Sequence, residues 1–397
     1  MEKLFVQWGG GNIGRSFVGQ VFARASYKVT FIDIDERLIS ALNAKGEYVV
    51  ETVFNDAVEL IPIKGVNAIN ANDQEAVNQA IGNCALMGVS VGKNVWPHIA
   101  KQLATAINER YKADKNAPLD IILAENIHNG AAFVTSLLQQ YLPPDFPLKG
   151  YVGLIETSIG KMVPIQSGSD PLIIRAEPHN DLFVNREGFL NPIPAVADLR
   201  PVAPMEAYVD RKLYIHNMGH ATAAYWGFQK YPEREFIADV LGDEALLDRV
   251  RQTMGQSTAI LCQLHKGVFT KEELNDHVED LLSRFKNQAL GDSIFRVGRD
   301  LPRKLHWEDR LMGIIVKGEA LNLPWDLIGE AYLVALEFKA LDGNGKREAR
   351  DQQFQESLEG LSLREKIYKA SGWSTSPHPQ SLFDSIANKF EALSSTH

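Results

Sequence analysis

The first 150 residues alternate short apolar runs with amphipathic stretches. Leu4–Trp8 and Val29–Ile32 are apolar-rich, Cys84–Val91 is largely so, and Asp120–Ala124 repeats the theme. Continuous apolar runs of this length suit strands buried on both faces of a parallel sheet, because half-exposed antiparallel strands would alternate. Between the first two runs, Phe17, Val18, Val21, Phe22 and Ala25 form one stripe on a helix. Strand, helix, strand, repeated, predicts an α/β fold built on a doubly wound parallel sheet.

The texture changes near residue 191. Pro192, Pro194, Pro201 and Pro204 fall within 13 residues, where neither helix interior nor central strand is comfortable. We place the boundary there, with domains at 1–195 and 196–397. Beyond it the chain reads as largely α-helical, with long amphipathic stretches at Glu244–Leu264 and Trp325–Leu341. Asp342-Gly343-Asn344-Gly345 begins like a calcium loop but lacks the later ligands, so a surface loop is expected.

Composition narrows the chemistry. The length of 397 residues fits two domains. Lys and Arg number 41 against 50 Asp and Glu, a formal charge of −9, which argues against nucleic acid as a partner. An anionic small substrate stays open, since a local basic pocket can sit in an acidic protein. Cys84 and Cys262 are too few for a disulfide scaffold or a cysteine-based zinc site. No signal-peptide pattern and no apolar run of spanning length is seen, so no membrane association and a cytoplasmic location are expected.

Gly9-Gly10-Gly11-Asn12-Ile13-Gly14 fits G-x-G-x-x-G, and its context strengthens it: it leaves the first strand and opens the first helix. Gly9 permits the tight turn, Gly11 lets the backbone approach a pyrophosphate, and Gly14 lets the helix pack on the sheet. Asn12 and Ile13 complete the loop at the helix N-terminus, where free N–H groups favour anions. Asp33 ends the second strand 19 residues after Gly14. An acid there accepts from ribose hydroxyls and repels a 2′-phosphate, which predicts NAD rather than NADP on a Rossmann-type domain.

A second informative segment is Arg211–His220. On an ideal α-helix His220 lies about 80° and Asn217 about 140° around from Lys212, so all three can face one cleft between the lobes. A lysine of lowered pKa would remove a hydroxyl proton, an amide would stabilise the alkoxide, and a histidine would orient substrate hydroxyls. Two other readings stand beside this one. His216 and His220 have metal-ligand spacing but no companion glutamate or evident third ligand, so no metal is expected. Alternatively His220 is a satisfied inter-lobe histidine and Lys212 an ordinary solvated lysine. Asn126, just past the Asp120–Ala124 run, lies where open α/β sheets bind ligands. It suits either a second oxyanion donor or an Asx turn.

Together these residues resemble the polyol-specific long-chain dehydrogenases and reductases. The resemblance rests on Gly9–Arg15, on Glu125-Asn126, and on the lysine, four residues, asparagine, two residues, histidine signature met by Lys212, Asn217 and His220. A further block comprises Arg296–Arg299, Arg303-Lys304-Leu305 and Asp309-Arg310-Leu311. It implies a Rossmann-type domain, a largely α-helical C-terminal domain and metal-independent NAD chemistry. Lys212 would be the general acid/base, Asn126 and Asn217 the oxyanion hole, and His220, Arg296 and Lys304 substrate contacts. Phosphate-specific members are near this length, which implies interconversion of mannitol 1-phosphate and fructose 6-phosphate, with the cations between Arg296 and Arg310 available to the phosphate. Related activities on unphosphorylated polyols or sugar acids (mannitol 2-dehydrogenase, tagaturonate or fructuronate reductase types) are the alternative, and a catalytically silent NAD(H) sensor is a third. Where the family has Asp-Arg-Ile-x-Pro, this chain has Gly160-Lys161-Met162-Val163-Pro164, which leaves the sugar identity open. A monomer or homodimer is expected.

Overall fold

The computed structural model describes residues 3–127, 129–164, 166 and 168–395. The chain divides into two compact units, residues 1–209 and 210–397.

Among the described residues the first unit carries eleven strands: β1 (Leu4–Trp8), β2 (Lys28–Asp33), β3 (Glu47–Phe54), β4 (Ala57–Lys64), β5 (Val66–Asn70), β6 (Leu86–Val89), β7 (Leu119–Leu123), β8 (Val152–Ser158), β9 (Ile173–Ala176), β10 (Leu182–Asn185) and β11 (Leu199–Val202). Eight form one sheet in the order β11-β10-β8-β7-β6-β1-β2-β5. All neighbours in it run parallel except β8 and β10. The chain winds outward from β1 through β2 to β5, then returns to β6 on the other side, so the switch point lies between β1 and β6. The apolar runs are strands because both sheet faces are covered. Phe5 joins Phe17, Val18 and Phe22 in one core, whereas Val6 and Trp8 join Met87, Trp96 and Leu103 in the other.

Two features add to the sequence expectation. A separate sheet, β4-β3-β9, is added to the unit; its β4 is mostly exposed, so no buried run announces it. The proline-rich stretch lies within the first unit. It carries β11, which pairs with β10 and extends the large sheet, and the compact division falls after Val209.

The second unit is helical. Met218–Lys230 is buried along nearly all its length, including Met218–Gly219 and Ala221–Gly227. A helix covered all round belongs in a core, and here Glu244–Leu264, Ile294–Gly298 and Asp326–Leu336 pack on it. Met254 lies so close to Gly219 that a Cβ there would meet its Sδ at 2.5 Å. No described helix is long and apolar enough to cross a membrane.

Candidate active site

The glycine turn sits at the switch point of the large sheet, where such sheets bind ligands. Gly9 has φ +92°, and a Cβ on it would stand 2.5 Å from the Ser90 carbonyl oxygen at the end of β6. A Cβ on Gly14 would lie 1.8 Å from the Gly9 carbonyl oxygen, so helix and turn touch only because that atom is missing. A Cβ on Gly11 would meet nothing within 4 Å; Gly11 is exposed, as is Asn12, while Ile13 packs partly on the core.

The turn is held from below by side chains. Asp33 Oδ2 accepts from the Gly10 N–H at 2.6 Å, and its Oδ1 from Ile34 and Asp35 N–H at 2.7 and 3.0 Å. A carboxylate has about four lone-pair sites, so this one is fixed in place with capacity left for a ribose hydroxyl. Arg15 Nε donates to the Gly10 carbonyl at 2.6 Å, and buried Gln7 donates to Ser90 Oγ at 2.9 Å. The helix that follows runs in a π conformation over Gly14–Gly19 before continuing as α over Gln20–Arg24.

Asn126 follows β7 directly. Its side chain neither closes an Asx turn nor stands free: Oδ1 accepts from Ile159 N–H at 3.1 Å and Nδ2 donates to the Ile159 carbonyl at 3.3 Å. The carboxamide thus bridges the chain beyond β7 to the chain beyond β8. It stays exposed, and its second N–H is available to a ligand. Next to it, burial raises the pKa of Glu125, which accepts from the Gly92 N–H.

The remaining predicted residues lie in the helical unit. Lys212–Asn217 is a π-helical segment leading into Met218–Lys230. This changes the wheel expected from sequence. An α-helix would put Asn217 about 140° from Lys212, but a π turn closes i→i+5, so residues five apart stack along one face as residues four apart do in an α-helix. Lys212 and Asn217 therefore share a face more closely than the α-helical reading gave.

His220, its side chain 15% exposed, stacks on Phe285 with 4.5 Å between ring centroids, and buried His216 lies beside it at 6.4 Å. Burial drives the His220 pKa well below the ordinary histidine value, and Arg296, Lys212, Lys304 and Arg310 push it the same way. The mutual effect shows that the structure brings Lys212, His220, Arg296 and Lys304 into one neighbourhood. His216 is likewise kept neutral by burial and by Lys212. Among the described residues, no three His, Cys, Asp or Glu side chains are grouped to hold a metal ion.

The cations of residues 296–310 are not an open basic loop. Arg296 pairs with Asp292, Arg299 with Glu348 at 3.3 Å, Arg303 with Asp300 at 2.6 Å, and Arg310 with Asp309 at 2.7 Å. Lys304 differs from them. It is 5% exposed and its Nζ donates to the Val297 carbonyl at 2.5 Å. Burial, then Arg310 and Arg303, lower its pKa well below the lysine range.

A model of the mannitol dehydrogenase Rossmann domain matches residues 3–197, and a model of the mannitol dehydrogenase C-terminal domain matches residues 204–391. The chain belongs to the mannitol dehydrogenase family. Relatives of this family member include the mannitol-1-phosphate 5-dehydrogenase of Streptococcus mutans, 29% identical over 394 residues, covering 98% of this chain and 100% of that protein. The enzyme of that name from Geobacillus thermodenitrificans is 30% identical over 353 residues, covering 84% of this chain and 89% of its own. Among solved structures, a D-sorbitol dehydrogenase in substrate-free form aligns with TM-score 0.80 at 14% identity, covering 98% of this chain and 92% of that one. The Pseudomonas fluorescens mannitol 2-dehydrogenase complex with NAD and D-mannitol aligns at 0.68 and 15% identity, covering 99% and 92%. These likenesses show the shared mannitol dehydrogenase fold.

One residue and one contact that bear on the candidate site escaped the sequence reading. Asp292, 8% exposed, places Oδ2 3.2 Å from His220 Nε2 and binds Arg296 with Oδ1. Its spacing of four residues from Arg296 was the available signal. Arg310 reaches the Asn217 carbonyl at 3.5 Å; nothing in the sequence pattern links those two positions.

Proposed function

We propose that this chain is an NAD-dependent polyol dehydrogenase that interconverts mannitol 1-phosphate and fructose 6-phosphate without a metal. The family supports the polyol class, and relatives named mannitol-1-phosphate 5-dehydrogenase that match over nearly the full length support the phosphorylated substrate. The observation that carries the site is His220 Nε2. It is buried with no aligned hydrogen-bond partner, Asp292 being near but at the wrong angle. A buried polar atom left so costs stability unless a ligand supplies the bond, and it lies among Lys212, Arg296 and Lys304.

Gly9, Gly11, Asn12, Ile13 and Gly14 fit the pyrophosphate of NAD, and Asp33 fits its ribose. When bound, NAD accepts a hydride from the carbinol carbon. Lys212 Nζ takes the C5 hydroxyl proton in the oxidative direction and returns it in reduction. Asn217 and Asn126 would each offer an amide N–H to the oxygen as negative charge develops, the kind of electrostatic stabilisation that is usually the largest catalytic contribution. His220, held neutral, binds a substrate hydroxyl without adding charge to a site already rich in cations. Arg296 contacts the polyol chain. Lys304, whose Nζ bonds a carbonyl and, among the described residues, no carboxylate, suits the phosphate best, since an anion beside it would favour its charged form.

The test is NADH oxidation against fructose 6-phosphate, fructose, tagaturonate and fructuronate, with and without a chelator. Selective turnover of fructose 6-phosphate, unaffected by chelation, supports the proposal. Preference for an unphosphorylated ketose or a sugar acid, or loss of activity with chelator, would replace it; binding of NADH without turnover would indicate a sensor.

A further inference from the structure

We infer that Asp292 is the positioning residue of the substrate site, holding the Arg296 guanidinium for the polyol. The inference rests on the function proposed above and assigns a role to a residue outside the family signature.

Asp292 is fixed at both backbone and side chain. Its carbonyl accepts from Ile237 N–H at 2.9 Å, and Ile294 N–H donates to the Glu235 carbonyl at 2.8 Å, so residues 292–294 are stitched to residues 235–237. Ser293 Oγ accepts from Arg296 N–H at 3.2 Å and caps the helix Ile294–Gly298. The carboxylate is therefore a rigid point at the entry of that helix. Arg296, by contrast, has a long side chain that is 41% exposed, free to sample many rotamers without an anchor. Asp292 Oδ1 supplies that anchor one helical turn away.

The other carboxylate oxygen faces His220 Nε2 at 3.2 Å, on the neighbouring helix Met218–Lys230. Phe285 confines the histidine by stacking on its ring. One buried carboxylate thus spans the two helices that carry substrate contacts. It also offsets part of the positive charge that Lys212, Arg296, Lys304 and Arg310 concentrate around His220. With Asp292 almost fully buried, substrate meets Arg296 rather than the carboxylate itself.

The experiment is steady-state kinetics with mannitol 1-phosphate on wild type, D292N, R296A and the double variant, with NADH binding followed by fluorescence on each. D292N keeps the shape and removes the charge. We expect it to raise the KM for the polyol phosphate roughly 10–100-fold, as expected for a contact displaced by about 1 Å, with a smaller change in kcat and unchanged NADH affinity. In the R296A background, D292N should add less than about twofold, because its role passes through Arg296. Fully multiplicative losses, an unaltered KM in D292N, or loss of NADH binding together with polyol binding would overturn the assignment. Wild-type protein that turns over no polyol phosphate would instead defeat the function proposed above, so the two failures are distinguishable.

Discussion

Gly14→Ala and Gly11→Ala, three residues apart in the same turn, should separate steric necessity from ligand contact. The Gly14 Cβ would sit 1.8 Å from the Gly9 carbonyl oxygen and 3.0 Å from Ser90 Oγ. Reaching even 3.0 Å from that carbonyl requires a retreat of about 1.2 Å, by backbone that is already constrained. Gly9 N–H is bonded to the Ile32 carbonyl at 2.8 Å, and its φ of +92° leaves little alternative geometry. Overpacking costs roughly 1–3 kcal/mol, and a clash with backbone belongs at the upper end. About 3 kcal/mol is a large share of a total of roughly 5–15 kcal/mol. Urea unfolding of the cofactor-free protein followed by circular dichroism should show the loss directly. At Gly11 an added Cβ meets nothing within 4 Å. Gly11→Ala should leave cofactor-free stability unchanged or higher by about 0.4–1 kcal/mol, yet weaken NADH binding at least tenfold by fluorescence titration. A Gly14→Ala protein as stable as wild type would refute the steric argument. A Gly11→Ala protein that binds NADH normally would refute the close approach of the pyrophosphate.

Three further outcomes are expected. His216 and His220 are both held neutral, their pKa values depressed chiefly by burial; the unfolded chain therefore binds more protons, and stability falls as pH drops below about 6.5, by up to about 1.4 kcal/mol per unit per histidine. Urea midpoints at pH 7.0 and 5.5 should differ less in His220→Asn than in wild type, and an identical difference would exclude that histidine. Asp33→Ala should narrow the KM preference for NAD over NADP, while unchanged values for both cofactors would remove Asp33 from recognition. Lys304→Met should reduce the preference for mannitol 1-phosphate over mannitol by about tenfold or more, consistent with loss of a charge-assisted contact; an undiminished ratio would place the phosphate elsewhere.

Much of this was visible in residue order. Leu4–Trp8 and Glu244–Leu264 coincide with the elements expected, because one is a buried strand with no polar alternation to obscure it and the other keeps a helical period for many turns. The glycine turn was legible for a steric reason, since few residues can occupy those positions. Other features had no local signature. Strand β4 exposes Val58 and Leu60 and contains Pro62, so its pattern reads as surface loop. The π turn at Lys212–Asn217 contains no glycine or proline to announce it, and the α-helical wheel consequently set Asn217 too far from Lys212. Apart from its spacing to Arg296, nothing in the sequence sets Asp292 apart from other acids; only its burial and its two partners, 72 and 4 residues away in sequence, reveal it. The cations of residues 296–310 were read as available charge, whereas four of them are matched by carboxylates drawn from positions 292 to 348.

The most direct test of the account is Lys212→Ala, assayed for reduction of fructose 6-phosphate by NADH alongside NADH binding. The account predicts that turnover falls by about 10²–10⁴ while NADH affinity is unchanged, as for loss of a general acid/base. Near-normal turnover in a variant that binds NADH as wild type does would contradict it, and would remove the lysine from the chemistry.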